Sequence, residues 1–291
     1  MNKHMKKRIL YLFLLAWIAI GGCDKPESTP AYLRIEPFIV NEKGGASWQK
    51  FTDGWLYVNN EFLGAYTLPA TVPILAEGES DIILFPGVKE NGIEFTPNLY
   101  LFMERYETTV SLTPPAVTTI KPETEYASNI KIPWGERGDF DGSSELQFEN
   151  RDSDAATSFD LTTEEAFFGK SLRMQIDTAH PVIEIASEKV SLPSNSGQEV
   201  WLELHHKNDM PFTLVLLSSN PASTEIAQDI YFFNNSDGWN KIYINLTEFL
   251  TTVLQEDHRL FFRVSLPKDE QNKYSQLTGK VMLDNIRLLH F

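Results

Sequence analysis

The sequence predicts an all-β protein of two domains, a small β-sandwich followed by a jelly-roll β-sandwich. Three observations lead there. Short runs of β-branched and aromatic residues alternate with polar ones, the period-2 pattern of strands with one buried face. Gly, Pro, Asn and Asp punctuate these runs roughly every 8 to 20 residues, as in sandwiches. Aromatics at 12% and hydrophobic residues at 42% supply a packed core, and 291 residues are more than one small domain needs.

The N-terminus has a different character. Lys3, Lys6, Lys7 and Arg8 form a positive region before the apolar run Ile9 to Ile20. That run is shorter than the ~20 residues that span a bilayer, and small residues follow it, as at a signal-peptidase site. Cys23, the sole cysteine, stands directly after Gly21-Gly22. This placement resembles a bacterial lipobox, which implies cleavage after residue 22, lipidation of Cys23 and a membrane anchor; an ordinary signal peptide is the alternative. With no other cysteine, the mature chain has no disulfide and no thiolate metal site. Loss of four basic residues with the leader would take the net charge from −15 to −19. Such acidity excludes nucleic acid and a basic lipid-binding patch. Residues 23–31 form a polar, proline-containing tether, and the expected location is the cell envelope, with periplasmic, outer-membrane and surface placements all open.

The first β domain is expected over 32–119. Its strands are "YLRIEPFIV", "GWLYVNNEFLGAYTLP", "SDIILFPGV" and "YETTVSLTP", and Asn59-Asn60 forms a two-residue hairpin turn because Asn tolerates φ > 0. The stretch from Trp55 to Gly87 resembles the PEGA-type β module, a spacer and envelope-contact unit without catalytic residues, with Asn60 where that family has Gly. A proline-rich connection is expected over 120–133.

The second domain is expected over 134–291. Strands are predicted at "ELQFEN", "KSLRMQID", "PVIEIAS", "EVWLELHH", "FTLVLLS", "QDIYFFN", "WNKIYINL", "HRLFFRVSL" and "KVMLDNIRLL", and one short helix at Thr247 to Leu254. Four phrases in order, "LQFENRD", "GKSLRMQID", "DGWNKIYINLTEF" and "KVMLDNIRL", resemble the galactose-binding-like jelly roll of carbohydrate-binding modules. The resemblance implies that fold, non-catalytic glycan binding, and a structural Ca²⁺ between the entry and closing strands. Glu149 and Asp284 would be its carboxylates, a chemistry suited to a hard cation. Two features leave this open. Arg151 replaces the family's glycine and could neutralise Asp284, and the three-residue step from Leu283 to Ile286 points to a β-bulge capped by Asp284-Asn285.

No catalytic motif is present: no G-x-S-x-G, H-E-x-x-H, P-loop or dinucleotide fingerprint. His205 and His206 would point to opposite faces of one strand. Glu164-Glu165 and Asp152/Asp154 sit in loop-like text, where solvated charge is the default. Trp239 in "DGWN" is expected as a structural turn aromatic. Strand alternation puts Trp201, His205, Tyr243, Phe261 and Arg263 on the non-core phase of their strands. Aromatic planes beside polar arms are the chemistry of a sugar site, so these five are the expected ligand-binding residues. The competing expectation is that the first domain covers this face and makes it a second core. The functional expectation is a non-catalytic, lipid-anchored envelope protein that binds a glycan. A structural or assembly lipoprotein contacting an envelope protein is the rival, and a hydrolase the weaker one.

Overall fold

The computed structural model describes residues 28–220 and 225–291; the signal-like segment 1–22 and Cys23 lie outside the described residues. The fold is nearly all β, as the alternation predicts. The first unit contains β1 (Ala31–Ile35), β2 (Ile39–Val40), β3 (Asp53–Val58), β4 (Glu61–Thr67), β5 (Ala70–Ile74), β6 (Gly78–Lys89), β7 (Pro97–Leu99), β8 (Tyr106–Leu112), β9 (Val117–Ile120) and β10 (Glu123–Thr124). One sheet runs β5-β1-β9, a two-stranded ladder joins β10 to β2, and the other sheet runs β4-β3-β6, with β7 and β8 both pairing β6. Asn59 and Asn60 turn the β3–β4 hairpin with φ of 51° and 67°, the doubly left-handed geometry that asparagine tolerates. Within the segment 120–133, Glu123–Thr124 pairs in parallel with Ile39–Val40.

The second unit contains β11 (Phe148–Asn150), β12 (Ser158–Thr162), β13 (Ser171–Asp177), β14 (Val182–Ser187), β15 (Val190–Ser191), β16 (Val200–Asn208), β17 (Phe212–Ser219), β18 (Ile226–Phe233), β19 (Ser236–Asn245), α1 (Thr247–Thr251), β20 (Asp257–Ser265) and β21 (Thr278–His290). All its ladders are antiparallel: β12-β13-β21-β16-β19 faces β11-β14-β20-β17-β18, with β15 attached to β20. Leu202, Leu204, Leu214, Leu216, Phe262, Leu283, Ile286 and Leu288 fill the space between the sheets. All nine strands named from the sequence form; β12 and β15 are the ones the pattern did not single out.

The closing strand carries the predicted bulge. Glu203 lies opposite Arg287 and His205 opposite Asp284, so Leu204 alone faces both Asn285 and Ile286. Asn285 takes φ 47° to accommodate the extra residue. Leu283 and Ile286, three apart in sequence, therefore both reach the core. A 3₁₀ turn at Arg137–Asp139 packs on this bulge at Gly138, where a Cβ would lie 2.0 Å from the Ile286 carbonyl oxygen.

Strands β16 and β21 are buried on both faces almost throughout. One face meets the jelly-roll core, and the other meets the first unit. Trp201, Tyr243 and Leu289 belong to the apolar core of that first unit, together with Phe51, Tyr100 and Phe102. Backbone hydrogen bonds stitch the contact: Lys131 and His290 exchange both N–H···O bonds (2.7 and 3.1 Å), and the Asn91 N–H donates to the Tyr243 carbonyl (2.8 Å).

Candidate functional site

The face expected to bind a ligand is closed. Trp201 and Tyr243 are each 2% exposed within the first unit's core, and His205, also 2% exposed, lies against Phe167 of the jelly roll. Tyr100 packs edge-on against both Trp201 and Tyr243, with ring centroids at 5.5 and 5.0 Å, and Phe51 stacks on Tyr243 at 6.0 Å. The Tyr243 hydroxyl accepts from the Lys50 N–H (2.8 Å) and donates to Gln49 Oε1 (2.9 Å). Phe167 stacks on His205 at 4.0 Å. Phe261 and Arg263 lie on the other sheet, in β20, and do not join these three. Phe261 is buried with Ala186, Val215 and Leu217, and Arg263 covers its ring while its Nε donates to Glu184 (2.6 Å). The five residues therefore do not form one open face: Trp201, His205 and Tyr243 are buried on one sheet, Phe261 is buried on the other, and Arg263 is exposed beside it. Alternation assigned their phase rightly, but it does not reveal which sheet a strand joins or what covers it.

At the centre of the covered face is a carboxylate. Glu203 is fully buried; its Oε1 accepts from the Tyr100 hydroxyl (2.5 Å), and its Oε2 from the Tyr126 hydroxyl (2.9 Å) and Lys241 Nζ (2.7 Å). Burial alone would raise its pKa, yet the charges of Lys241 and Arg287 outweigh burial and hold it below the usual carboxylate range. Burial lowers Lys241, and Glu203 partly restores it. The same burial, with Lys241 and Arg287 nearby, drops His205 to about 2, so its ring is neutral. His206 points the opposite way, edge-on to the stacked pair Phe212 and Phe233, as the single-strand geometry requires.

The carboxylates expected to share a cation are also separated. Glu149 sits on β11 and pairs with Arg151 (2.9 Å) and Arg259 (3.4 Å). Asp284 sits in the other sheet, 1% exposed. Its Oδ2 accepts from Ser171 Oγ (2.5 Å) and its Oδ1 from the Asn285 N–H (2.7 Å). Arg151 does not neutralise it. Burial pushes Asp284 up to about 7, and neighbouring Asp141 adds to the rise. Among the described residues no three or more His, Cys, Asp or Glu side chains gather in a metal-binding group.

Beyond the first unit's edge, an open cleft of about 280 Å³ remains on the jelly roll. Glu165, Lys207, Asn208, Asp209, Ser236, Asp237 and Lys280 line it. Glu165 bridges Lys207 (2.5 Å) and Lys280, and these two lysines hold its carboxyl at about 2. Half-buried Trp239 donates from Nε1 to the carbonyl of Glu165, one of the lining residues (2.9 Å). Sequence reasoning left Glu165 as solvated loop charge and Trp239 as a turn aromatic. The signal that joins them is long-range: Glu165 precedes Lys207 by 42 residues and Lys280 by 115. Elsewhere, Ser194 Oγ lies 2.8 Å from His258 Nε2, with Ser218 Oγ 2.9 Å from Nδ1. Burial lowers His258 to about 4.

No protein-family model matches the chain, and no curated protein does. Solved structures do show similarity. One is the enzymatically active domain of tailspike protein 4 of bacteriophage CBA120, at 13% identity and a TM-score of 0.40, covering 54% of this chain and 21% of that one. This chain thus spans about a fifth of that domain. Another is a family 11 carbohydrate-binding module from Clostridium thermocellum in complex with a β-1,3-1,4-mixed-linked tetrasaccharide. It has 16% identity and a TM-score of 0.38, covering 56% of this chain and 96% of the module. A third is TmCBM61 in complex with β-1,4-galactotriose, at 10% identity and a TM-score of 0.35, covering 55% and 99%.

Two predictions follow from the charges. Glu203→Ala leaves Lys241 and Arg287 buried without their counter-charge and is expected to cost about 3–5 kcal/mol in chemical denaturation. Glu203→Gln, which keeps an acceptor for one tyrosine, is expected to cost less. For Asp284, the folded-state pKa of about 7 lies above the ordinary aspartate value of 3.8. Its contribution to stability is full below the lower value and is lost as pH rises through the higher one. The melting temperature should therefore gain a downward component between those pH values that Asp284→Asn abolishes. A carboxylate held by a cation would give the opposite slope.

Proposed function

We propose that the chain is a lipid-anchored, non-catalytic binding protein of the cell envelope that takes a glycan on its jelly roll. The binding place is the open cleft beside Trp239, since the covered face is closed to any ligand. One observation carries this reading: an open, polar cleft lies on the jelly roll, with an indole ring bonded to the backbone of one of its lining residues. Hydroxyl-rich ligands are held by such polar arms, with an aromatic plane against the C–H face. The anchor rests on Cys23 after Gly21-Gly22 and the leader before it. The non-catalytic reading rests on the sequence, which carries no G-x-S-x-G, H-E-x-x-H, P-loop or dinucleotide motif.

Burial of Trp201 and Tyr243 favours a second reading, a structural lipoprotein whose partner is an envelope protein. Gel-affinity retention of the chain lacking residues 1–23, on a panel of soluble polysaccharides, separates the two. Retention on at least one polysaccharide is expected, with Trp239→Ala and Lys207→Ala each weakening it by about tenfold, the size of a lost contact of ~1.4 kcal/mol. Silence across the panel, or retention that ignores both variants, removes the glycan reading. For the anchor, Cys23→Ala is expected to abolish labelling by a radioactive fatty acid and to release the protein from membranes. Undiminished labelling would end that part of the proposal.

A further inference from the structure

The first unit carries an exposed strand edge with apolar side chains on both flanks. Strand β4 pairs with β3 and, among the described residues, with no other strand. Its sequence, Glu61-Phe62-Leu63-Gly64-Ala65-Tyr66-Thr67, has no proline or lysine and a single charge at its start. Natural edge strands are commonly blunted by such residues. The neighbouring edge strand β5 is blunted in this way, because Pro73 removes a backbone donor. On β4 a bulge leaves Leu63 without an opposite residue on β3, so the run Gly64–Thr67 offers the regular edge. The Leu63 carbonyl accepts from the Tyr66 hydroxyl (3.2 Å), a side-chain stand-in for a neighbouring strand.

The two flanks differ. On one, Phe62, 50% exposed, stacks on Trp55 at 5.4 Å and meets Tyr57 at 5.1 Å, and Tyr57 meets Phe85 at 5.7 Å. On the other, Leu63 at 39% exposure lines a cleft of about 430 Å³ where Val58, Pro73, Ile74 and Leu75, the last 76% exposed, stand beside Asn59 and Glu61. A glycan could use the aromatic flank but would leave the aliphatic side chains of Leu63 and Leu75 and the backbone edge unanswered. An extended peptide answers all three, since its backbone continues the ladder and its alternate side chains fall on opposite flanks.

We propose that β4 is a strand-addition site for an extended, apolar-alternating segment of a partner protein, with aromatic side chains on the Trp55–Phe62 flank and aliphatic ones in the Leu63–Leu75 cleft. This specifies the protein-partner reading and is independent of the glycan cleft, which polysaccharide retention tests separately. The probe is a fluorescein-labelled octapeptide alternating phenylalanine and valine, with terminal lysines for solubility, titrated with the chain lacking residues 1–23. Fluorescence anisotropy is expected to rise, and hydrogen exchange of the Gly64–Thr67 amides to slow. Leu63→Glu and Leu75→Glu should each weaken binding by about tenfold or more. Leu75 is mostly exposed, so its variant tests the site without disturbing the core. The same peptide N-methylated at alternate amides should not bind. Equal binding of the methylated peptide, or indifference to both variants, overturns strand addition. So does a concentration-dependent dimer that Leu63→Glu abolishes, because the edge would then belong to a second copy of this chain.

Discussion

The arrangement of the two lobes depends on one buried carboxylate. Removing a carboxylate from water is tolerable only when charge and hydrogen bonds replace the lost solvation. Glu203 receives both, from different parts of the chain. Lys241 and Arg287 come from the jelly roll, and the hydroxyls of Tyr100 and Tyr126 from segments 103 and 77 residues upstream. An apolar patch would hold the lobes together in several orientations. A carboxylate needing two hydroxyls and an ammonium at hydrogen-bond distance accepts one. The stitched backbone pairs at Lys131/His290 and Asn91/Tyr243 lie in the same contact and fix the same orientation.

This arrangement also explains what was legible in the sequence. Period-2 alternation located the strands because it reflects the buried core face of each one. Asn59-Asn60 announced its hairpin because the turn's dihedrals are a local property. Alternation also placed Trp201, His205 and Tyr243 on the second face of their strands, and there its information ended. Polar residues on the outer phase look alike whether water or another domain lies over them. Tyr100, Tyr126 and Phe51 cover this face, and no pattern near Glu203 points to them. Phe261 and Arg263 failed for a different reason: phase within a strand is local, but sheet membership is set by topology. Glu149 and Asp284 were drawn together by resemblance, whereas Arg151, Arg259 and Ser171 satisfy them separately.

With that face closed, the surfaces left for partners divide by chemistry. The cleft near Trp239 is lined by charged and polar side chains, among them Glu165 paired with Lys207 and Lys280, an environment suited to a hydroxyl-bearing ligand. The edge at β4 has the opposite character, with unpaired backbone between apolar flanks, where water is displaced to advantage and an amide ladder replaces it. The two surfaces therefore do not compete for one class of ligand. Because the Glu203 contact fixes the lobes, binding at either place need not reorganise the other.

The bulge on the closing strand makes that contact possible. Leu283 faces the jelly-roll core and Asp284 the opposite side. Uninterrupted alternation would then send Asn285 and Arg287 inward, and Ile286 and Leu288 outward. Inserting one residue at Asn285 reverses the phase. Ile286 and Leu288 enter the core, while Arg287 and Leu289 turn to the first unit, where Arg287 supports Glu203 and Leu289 joins the first unit's core. The Asn285 N–H that the bulge withdraws from the ladder is taken by Asp284 Oδ1, and Ser171 holds Oδ2. The carboxylate in the terminal strand thus has a structural role sufficient to account for it. It steadies the extra residue that lets one strand serve the jelly-roll core on one face and the interlobe charge network on the other.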